Sequence, residues 1–289
     1  MKKLTLAALA LFIAGCSSPL PRTGLSTEYR LNTQYPSESQ NERVRFLVLH
    51  YTAADDAESL RLLTQSGVSA HYLVPSAADP LMRQNTVYQL VAEDKRAWHA
   101  GVSHWNGRSN LNDSSIGIEI VHPGFTDTPS GRHWYPWNDR QIGLVASLAK
   151  DIIQRYAITP DNVVAHSDIA PGRKFDPGPL FPWQQLAEQG IGAWPDSDLV
   201  QHYLAGRSAY AAGSVSKIQA DLARYGFTIP QTGIDDSQTR KVISAFQMHF
   251  RPTNFTGTAD AETEAIAAAL VAKYRTANKM LRQENDTGL

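Results

Sequence analysis

The 289-residue chain predicts an α/β domain with a mixed central sheet flanked by helices, followed by a small C-terminal three-helix domain. Three observations carry that expectation. From about residue 43 to Pro195, short β-rich runs alternate with helix-length amphipathic stretches, the pattern of a layered α/β fold. After a Gly/Ser/Ala stretch over residues 205–216, three helix-length apolar sets remain. The length exceeds one average domain and calls for two.

Lys2 and Lys3 precede an apolar run, residues 4–14, that is too short to span a bilayer and has the layout of a signal peptide. It ends in Ile13-Ala14-Gly15-Cys16, with Cys16 the single cysteine of the chain. This end resembles the lipobox of bacterial lipoproteins, which implies that residues 1–16 are a signal peptide and that Cys16 is lipidated. Multiple acylation would give a stable bilayer anchor. Ser17 in the next position, by the same resemblance, implies an outer-membrane lipoprotein facing the periplasm. Residues 17–42, rich in Ser, Thr, Pro, Asn and Gln, read as a solvated spacer.

The folded part starts with a buried-strand pattern over residues 45–50, and residues 69–74, 86–91 and 115–121 give three more strands. Residues 55–65 predict a helix. Over residues 138–156 Ile142, Val145, Leu148, Ala149, Ile152 and Tyr156 recur at helical spacing behind Asn138, a suitable N-cap. Residues 163–166 form a last strand, and the domain is expected to cover 43–195, with a linker over 196–213. In the C-terminal domain, residues 214–276, the apolar sets are Ile218, Leu222, Tyr225 and Phe227, then Val242, Ala245 and Phe246, then Ile266, Leu270 and Val271. Acidic starts at Asp235-Asp236 and Asp260 suit the second and third helices. A polar tail occupies 277–289.

A formal net charge of −1 gives no electrostatic reason for a nucleic-acid partner, and no further segment is apolar enough to cross a membrane. With its one cysteine used as an anchor, the chain has no disulfide framework and no thiolate metal site. Any metal is left to histidine and carboxylate. Of nine histidines, His50 closes the first strand and His166 the last. Ten residues after His166, a loop stiffened by Pro171, Gly172, Pro177, Gly178 and Pro179 carries Asp176. Two imidazoles and one carboxylate leave a position of Zn2+ open to water, as a catalytic site requires. Spacing alone leaves a chance pattern open, because no contiguous HExxH or CxxC motif is present.

Val48-Leu-His-Tyr-Thr52, Ser69-Ala-His-Tyr-Leu-Val74, Trp98-His-Ala-Gly101, Ser115-Ile-Gly-Ile-Glu-Ile120 and His166-Ser-Asp-Ile-Ala-Pro-Gly-Arg-Lys-Phe-Asp-Pro-Gly178 together resemble the zinc-dependent N-acetylmuramoyl-L-alanine amidases. That family shares its fold with T7-type lysozyme and the peptidoglycan-recognition proteins. The resemblance implies that His50, His166 and Asp176 ligate zinc, that Glu119 is the general base and that Lys174 stabilises the oxyanion. Glu119 is the one charge in an otherwise apolar strand, and burying it is costly without a purpose. Where phage-type members carry a Tyr before the second-strand histidine, this chain has Ala70, which shifts the burden onto Glu119. Trp98, His99, His104 and His133, with Trp105, Trp134 and Trp137, lie in loops where they could line a substrate groove, while His71 suits a structural or ligand-orienting role.

Leu222-Ala-Arg-Tyr-Gly-Phe227, Gly233-Ile-Asp-Asp, Phe246-Gln247 and Gly257-Thr-Ala-Asp resemble the three-helix peptidoglycan-binding domain, which implies a tether to the polymer. The function implied is hydrolysis of the amide bond between N-acetylmuramic acid, intact or anhydro, and L-alanine of the stem peptide, in cell-wall turnover, by a monomer. The alternative is a non-catalytic peptidoglycan-recognition lipoprotein. A serine hydrolase has no G-x-S-x-G elbow to support it.

Overall fold

The structure, a computed structural model, describes residue 29, residues 31–77 and residues 85–276. The signal peptide, Cys16, half of the expected spacer (residues 17–28 and 30) and the tail 277–289 lie outside the described residues. The chain divides into the units Met1–Asn41 and Glu42–Leu289, and every described strand and helix belongs to the second.

Along that unit run β1 (Phe46–Tyr51), α1 (Asp56–Gln65), β2 (Tyr72–Val74), β3 (Tyr88–Gln89), β4 (His104–Trp105), β5 (Arg108–Ser109), β6 (Ser115–Ile120), β7 (Phe125–Thr128) and β8 (Gly131–Trp134). Then follow α2 (Asp139–Tyr156), β9 (Val163–Ala165), α3 (His166–Ile169), α4 (Trp183–Ala187), α5 (Ser197–Leu204), α6 (Val215–Tyr225), α7 (Ser237–Phe250) and α8 (Ala261–Val271). Five strands make the central sheet in the order β3-β2-β6-β1-β9, parallel except for β3, and two hairpins, β4–β5 and β7–β8, stand apart from it.

Alternation along β1 sends its side chains to two different cores. Leu47 and Leu49, with Ile116, Ile118 and Ile120 of β6, pack under Ile142, Val145, Ala149 and Ile152 of α2. Asn138 caps that helix through its side-chain oxygen, which accepts from Arg140 N and Gln141 N. Phe46 and Val48 face the other way, into a core completed by Leu222, Tyr225, Phe227, Phe246 and Leu270 of the C-terminal helices. Trp105 is buried there against Tyr225 and Phe227 at ring-centroid distances of 5.8 and 4.9 Å, and Asn106 N donates to Gly226 O. A Cβ on Gly226 would come within 2.9 Å of the Trp105 ring, so this contact needs glycine.

Residues 196–213, expected as a linker, hold α5, which packs along α8. The three helices α6, α7 and α8 share a repeated device. Gln219 accepts from Gly233 N and donates to Thr239 Oγ1, whose backbone N donates to the N-cap Asp236. Gln247 accepts from Gly257 N and donates to Thr263 Oγ1, whose backbone N donates to the N-cap Asp260. Both glutamines are fully buried with their amide groups bonded, which lets a polar residue occupy the core and fix the start of the next helix.

Candidate metal centre

The site lies on one row across the sheet. His50 pairs with Glu119 in the β1–β6 register, directly above the pairs Val48 with Gly117 and Phe46 with Ser115. Val48 is paired with Val164 of β9, so His166, two residues on, continues the same face. The strand stops at Ala165 rather than at His166, because Asp168 Oδ2 accepts from Ala165 N at 2.8 Å and turns the chain into the short α3. The loop after α3 returns through Lys174 N and Arg173 N, both donating to Ala170 O, and is pinned where Ser167 N donates to Asp176 O.

Three distant side chains thereby converge. His50 Nδ1 is 2.9 Å from His166 Nδ1, and Asp176 Oδ2 is 3.0 Å from each. All three residues are buried. Burial first and the neighbouring His166 second lower the His50 pKa to about 4, which keeps this imidazole neutral. Burial alone would raise Asp176, but His166 and His50 hold its carboxyl well below the usual range, as an anion. His166 Nε2 lies 3.2 Å from Ala100 O, and a carbonyl only accepts, so the proton of a neutral His166 sits on Nε2 and its Nδ1 lone pair faces the site. Electron pairs crowded this closely repel unless a cation or proton lies among them, and two imidazoles with a carboxylate suit a borderline ion such as Zn2+.

Glu119 is half-buried beside this cluster, and its Oε2 has no hydrogen-bond partner among the described residues. Burial pushes its pKa well above the carboxylate norm, Asp176 adds to the rise, and Lys174 opposes it. Half-buried Lys174 acts by charge on both Glu119 and His50. Lysine and glutamate therefore border the cluster together.

The residues expected along a groove divide. Trp98 is 51% exposed with the Arg96 guanidinium 4.0 Å over its ring, and His104 and His133 are exposed on β4 and β8 without contact to the cluster. His99 is a correction: it is buried beneath the centre, with Nδ1 2.9 Å from His50 Nε2 and Nε2 3.1 Å from Ser115 Oγ. Trp105 is a second correction, being core, and Trp137 stacks on His122 at 3.9 Å. Trp134 is half-buried against Phe125, and a Cβ on Gly178 would meet it at 2.8 Å. His71 bridges strand and loop, its Nδ1 accepting from Gly117 N and its Nε2 donating to Lys95 O. Ala70 is buried beside Leu73 and Val121, away from the cluster.

Sequence reasoning missed His249, whose Nδ1 lies 2.7 Å from Asp168 Oδ2 across the boundary between the two folded regions. Nothing in the sequence pairs positions 81 residues apart.

Comparison with known proteins supplies an independent line. The family model described as N-acetylmuramoyl-L-alanine amidase matches residues 40–179, and a peptidoglycan-binding-domain model matches residues 212–266. N-acetylmuramoyl-L-alanine amidase AmiD of Escherichia coli (strain K12) is 48% identical over 271 residues, which is 93% of this chain and 97% of that protein. The solved complex of the Escherichia coli enzyme with anhydro-N-acetylmuramic acid-L-Ala-D-gamma-Glu-L-Lys superposes with a TM-score of 0.82 at 49% identity, covering 86% of this chain and 96% of that one. AMPDH3 from Pseudomonas aeruginosa, in complex with anhydromuramic pentapeptide, gives a TM-score of 0.74 at 46% identity over 86% of this chain and 97% of that one. The chain belongs to the N-acetylmuramoyl-L-alanine amidase family.

Proposed function

We propose that the chain holds one Zn2+ on His50, His166 and Asp176 and hydrolyses the amide bond between N-acetylmuramic acid, intact or anhydro, and L-alanine of the peptidoglycan stem peptide. The observation that carries this reading is the triangle of ligand atoms with edges of 2.9–3.0 Å beside a glutamate whose buried Oε2 has no partner among the described residues. Relatives whose solved complexes contain anhydromuramyl peptides support the substrate class.

Bound there, zinc supplies a Lewis acid that lowers the pKa of water to about 7 and polarises the scissile carbonyl. Glu119, held in a row with His50, accepts the proton of the attacking water and passes it to the departing alanine nitrogen. Its raised pKa brings the carboxylate closer to neutrality, where such a relay works best. Lys174 faces the same charge cluster and offers its ammonium to the developing oxyanion. Asp176 stays anionic and His50 neutral, the protonation states a cation ligand needs.

Domain boundaries follow as a signal peptide over 1–16, a spacer over 17–42, the amidase over 43–195 and a peptidoglycan-binding region over 214–276. Cys16 as a lipid anchor puts the enzyme at the outer membrane facing the periplasm, where cell-wall turnover supplies its substrate. Among the described residues no helix is long and apolar enough to cross a membrane.

Purified protein and sacculi test the reading directly. Mass spectrometry of the products should show free stem peptides beginning with L-alanine, their release should stop with a chelator, and added zinc should restore it. A zinc-replete protein that binds sacculi and releases nothing is a recognition protein instead.

A further inference from the structure

One short segment reaches both histidines of the centre from behind. Ser115 Oγ is 2.6 Å from Leu111 O, which can only accept, so the hydroxyl hydrogen is committed there. The hydroxyl oxygen must then accept from His99 Nε2, 3.1 Å away, which places a proton on that nitrogen. Among the described residues the ring nitrogens of His99 meet only a hydroxyl and an imidazole, so a buried positive charge on it would have no counter-ion within hydrogen-bond reach there. His99 is neutral on these grounds, and its Nδ1 presents a lone pair. His50 Nε2, at 2.9 Å, must donate to it, and this leaves the lone pair of His50 on Nδ1, facing His166 and Asp176. The next residue performs the same service for the second histidine, since Ala100 O accepts from His166 Nε2.

The segment is itself held in place. Asn112 Oδ1 accepts from both His99 N at 3.1 Å and Ala100 N at 2.8 Å, and Arg173 donates to Ala100 O and Val102 O. The His99 ring lies so close over β6 that a Cβ on Gly117 would stand 2.5 Å from it. Glycine at 117, asparagine at 112 and serine at 115 thus serve one end.

We propose that His99-Ala100 is a positioning segment that fixes both metal-binding histidines with their Nδ1 lone pairs inward before the cation arrives, His99 through a chain of donors that starts at the Leu111 carbonyl. This rests on the metal-centre reading above. Outer partners of this kind typically contribute about 10- to 100-fold in metal affinity.

The test uses the full chain, stripped of metal. Ring 15N chemical shifts should put the proton of His50 on Nε2 in the metal-free protein. His99→Phe keeps the ring packing on Gly117 but offers no acceptor, and zinc affinity, measured by competition with a chelator, should fall about 10- to 100-fold. His99→Asn places an amide oxygen near the Nδ1 position and should recover most of the loss, which a purely space-filling role would not require. Ser115→Ala, a milder change if His99→Phe fails to fold, should move part of the His50 proton to Nδ1 and weaken zinc binding. A metal-free wild type with His50 protonated on Nδ1, or a folded His99→Phe or Ser115→Ala protein binding zinc like the parent, overturns the proposal. Wild type with the expected tautomer but no affinity for zinc would instead remove the metal reading and leave the positioning chain standing.

Discussion

Glu119 and Lys174 are coupled by charge, and that coupling has a measurable sign. Burial and Asp176 raise the Glu119 pKa, while Lys174 lowers it. A general base works ionised, so the acid limb of the pH–rate profile follows this pKa. Lys174→Ala removes the lowering charge, the Glu119 pKa rises, and the acid limb should move to higher pH. If the ammonium also meets the oxyanion, kcat falls about 100- to 1000-fold. Unchanged kcat with an unmoved limb would take Lys174 out of the site. Glu119→Gln should retain stoichiometric zinc while turnover drops about 100- to 10,000-fold, whereas His166→Ala should lose the metal; metal analysis beside kinetics separates the two. Because the raised pKa marks ionised Glu119 as a burden on the fold above its unfolded pKa, metal-free Glu119→Gln should also melt higher than the parent at neutral pH.

At the scale of elements, the sheet supplies the row and the C-terminal helices support it. Asp168 Oδ2 holds Ala165 N, the residue before His166, and receives His249 Nδ1 from α7. His249 is sandwiched between Trp183 and Phe250, each at a ring-centroid distance of 3.9 Å. His249→Ala removes a buried hydrogen bond to a carboxylate and leaves a void between two rings, at a cost of about 3 kcal/mol. A thermal melt should fall by roughly 2–4 °C for each kcal/mol lost, and an unshifted melt would show that the clamp carries no load. How much of this could be read in the sequence depends on range. Strand β1, helix α2 with its Asn138 cap, and β6 were legible because hydrophobic period and cap chemistry are local. Residues 69–71 and most of 86–91 were expected as strand, but only Tyr72–Val74 and Tyr88–Gln89 form ladder, since propensity does not report where a partner strand ends. Glu119 stood out as a lone charge in an apolar run. His99 did not, because its partners come from residues 50 and 115, and an exposed loop histidine and a buried orienting one look alike without those contacts.

For the molecule as a whole, the decisive feature is that both folded regions share one core. The sheet face that carries the site is covered below it by Leu222, Tyr225, Phe227, Phe246 and Leu270, so Phe46, Val48 and Trp105 depend on the C-terminal helices for burial. Polar contacts cross the same boundary: Arg275 forms an ion pair with Asp161, His249 Nδ1 meets Asp168 Oδ2, and Asn106 N donates to Gly226 O. A module that only tethers the enzyme to its polymer could be cut away with loss of affinity for sacculi and no loss on a small soluble substrate. Here removal would expose a contiguous apolar face, take Arg275 from Asp161 and leave Asp168 with Ala165 N alone, and among the described residues each of these carboxylates already has one oxygen without a partner. A chain ending at Pro195 should therefore aggregate or melt far below the parent and lose activity on soluble anhydromuramyl peptide and sacculi alike. The comparison is made by light scattering, thermal melting and turnover on both substrates. A truncated chain that stays monomeric and cleaves the soluble peptide at the parental rate would show that the amidase fold closes its own core, and that the C-terminal helices serve binding alone.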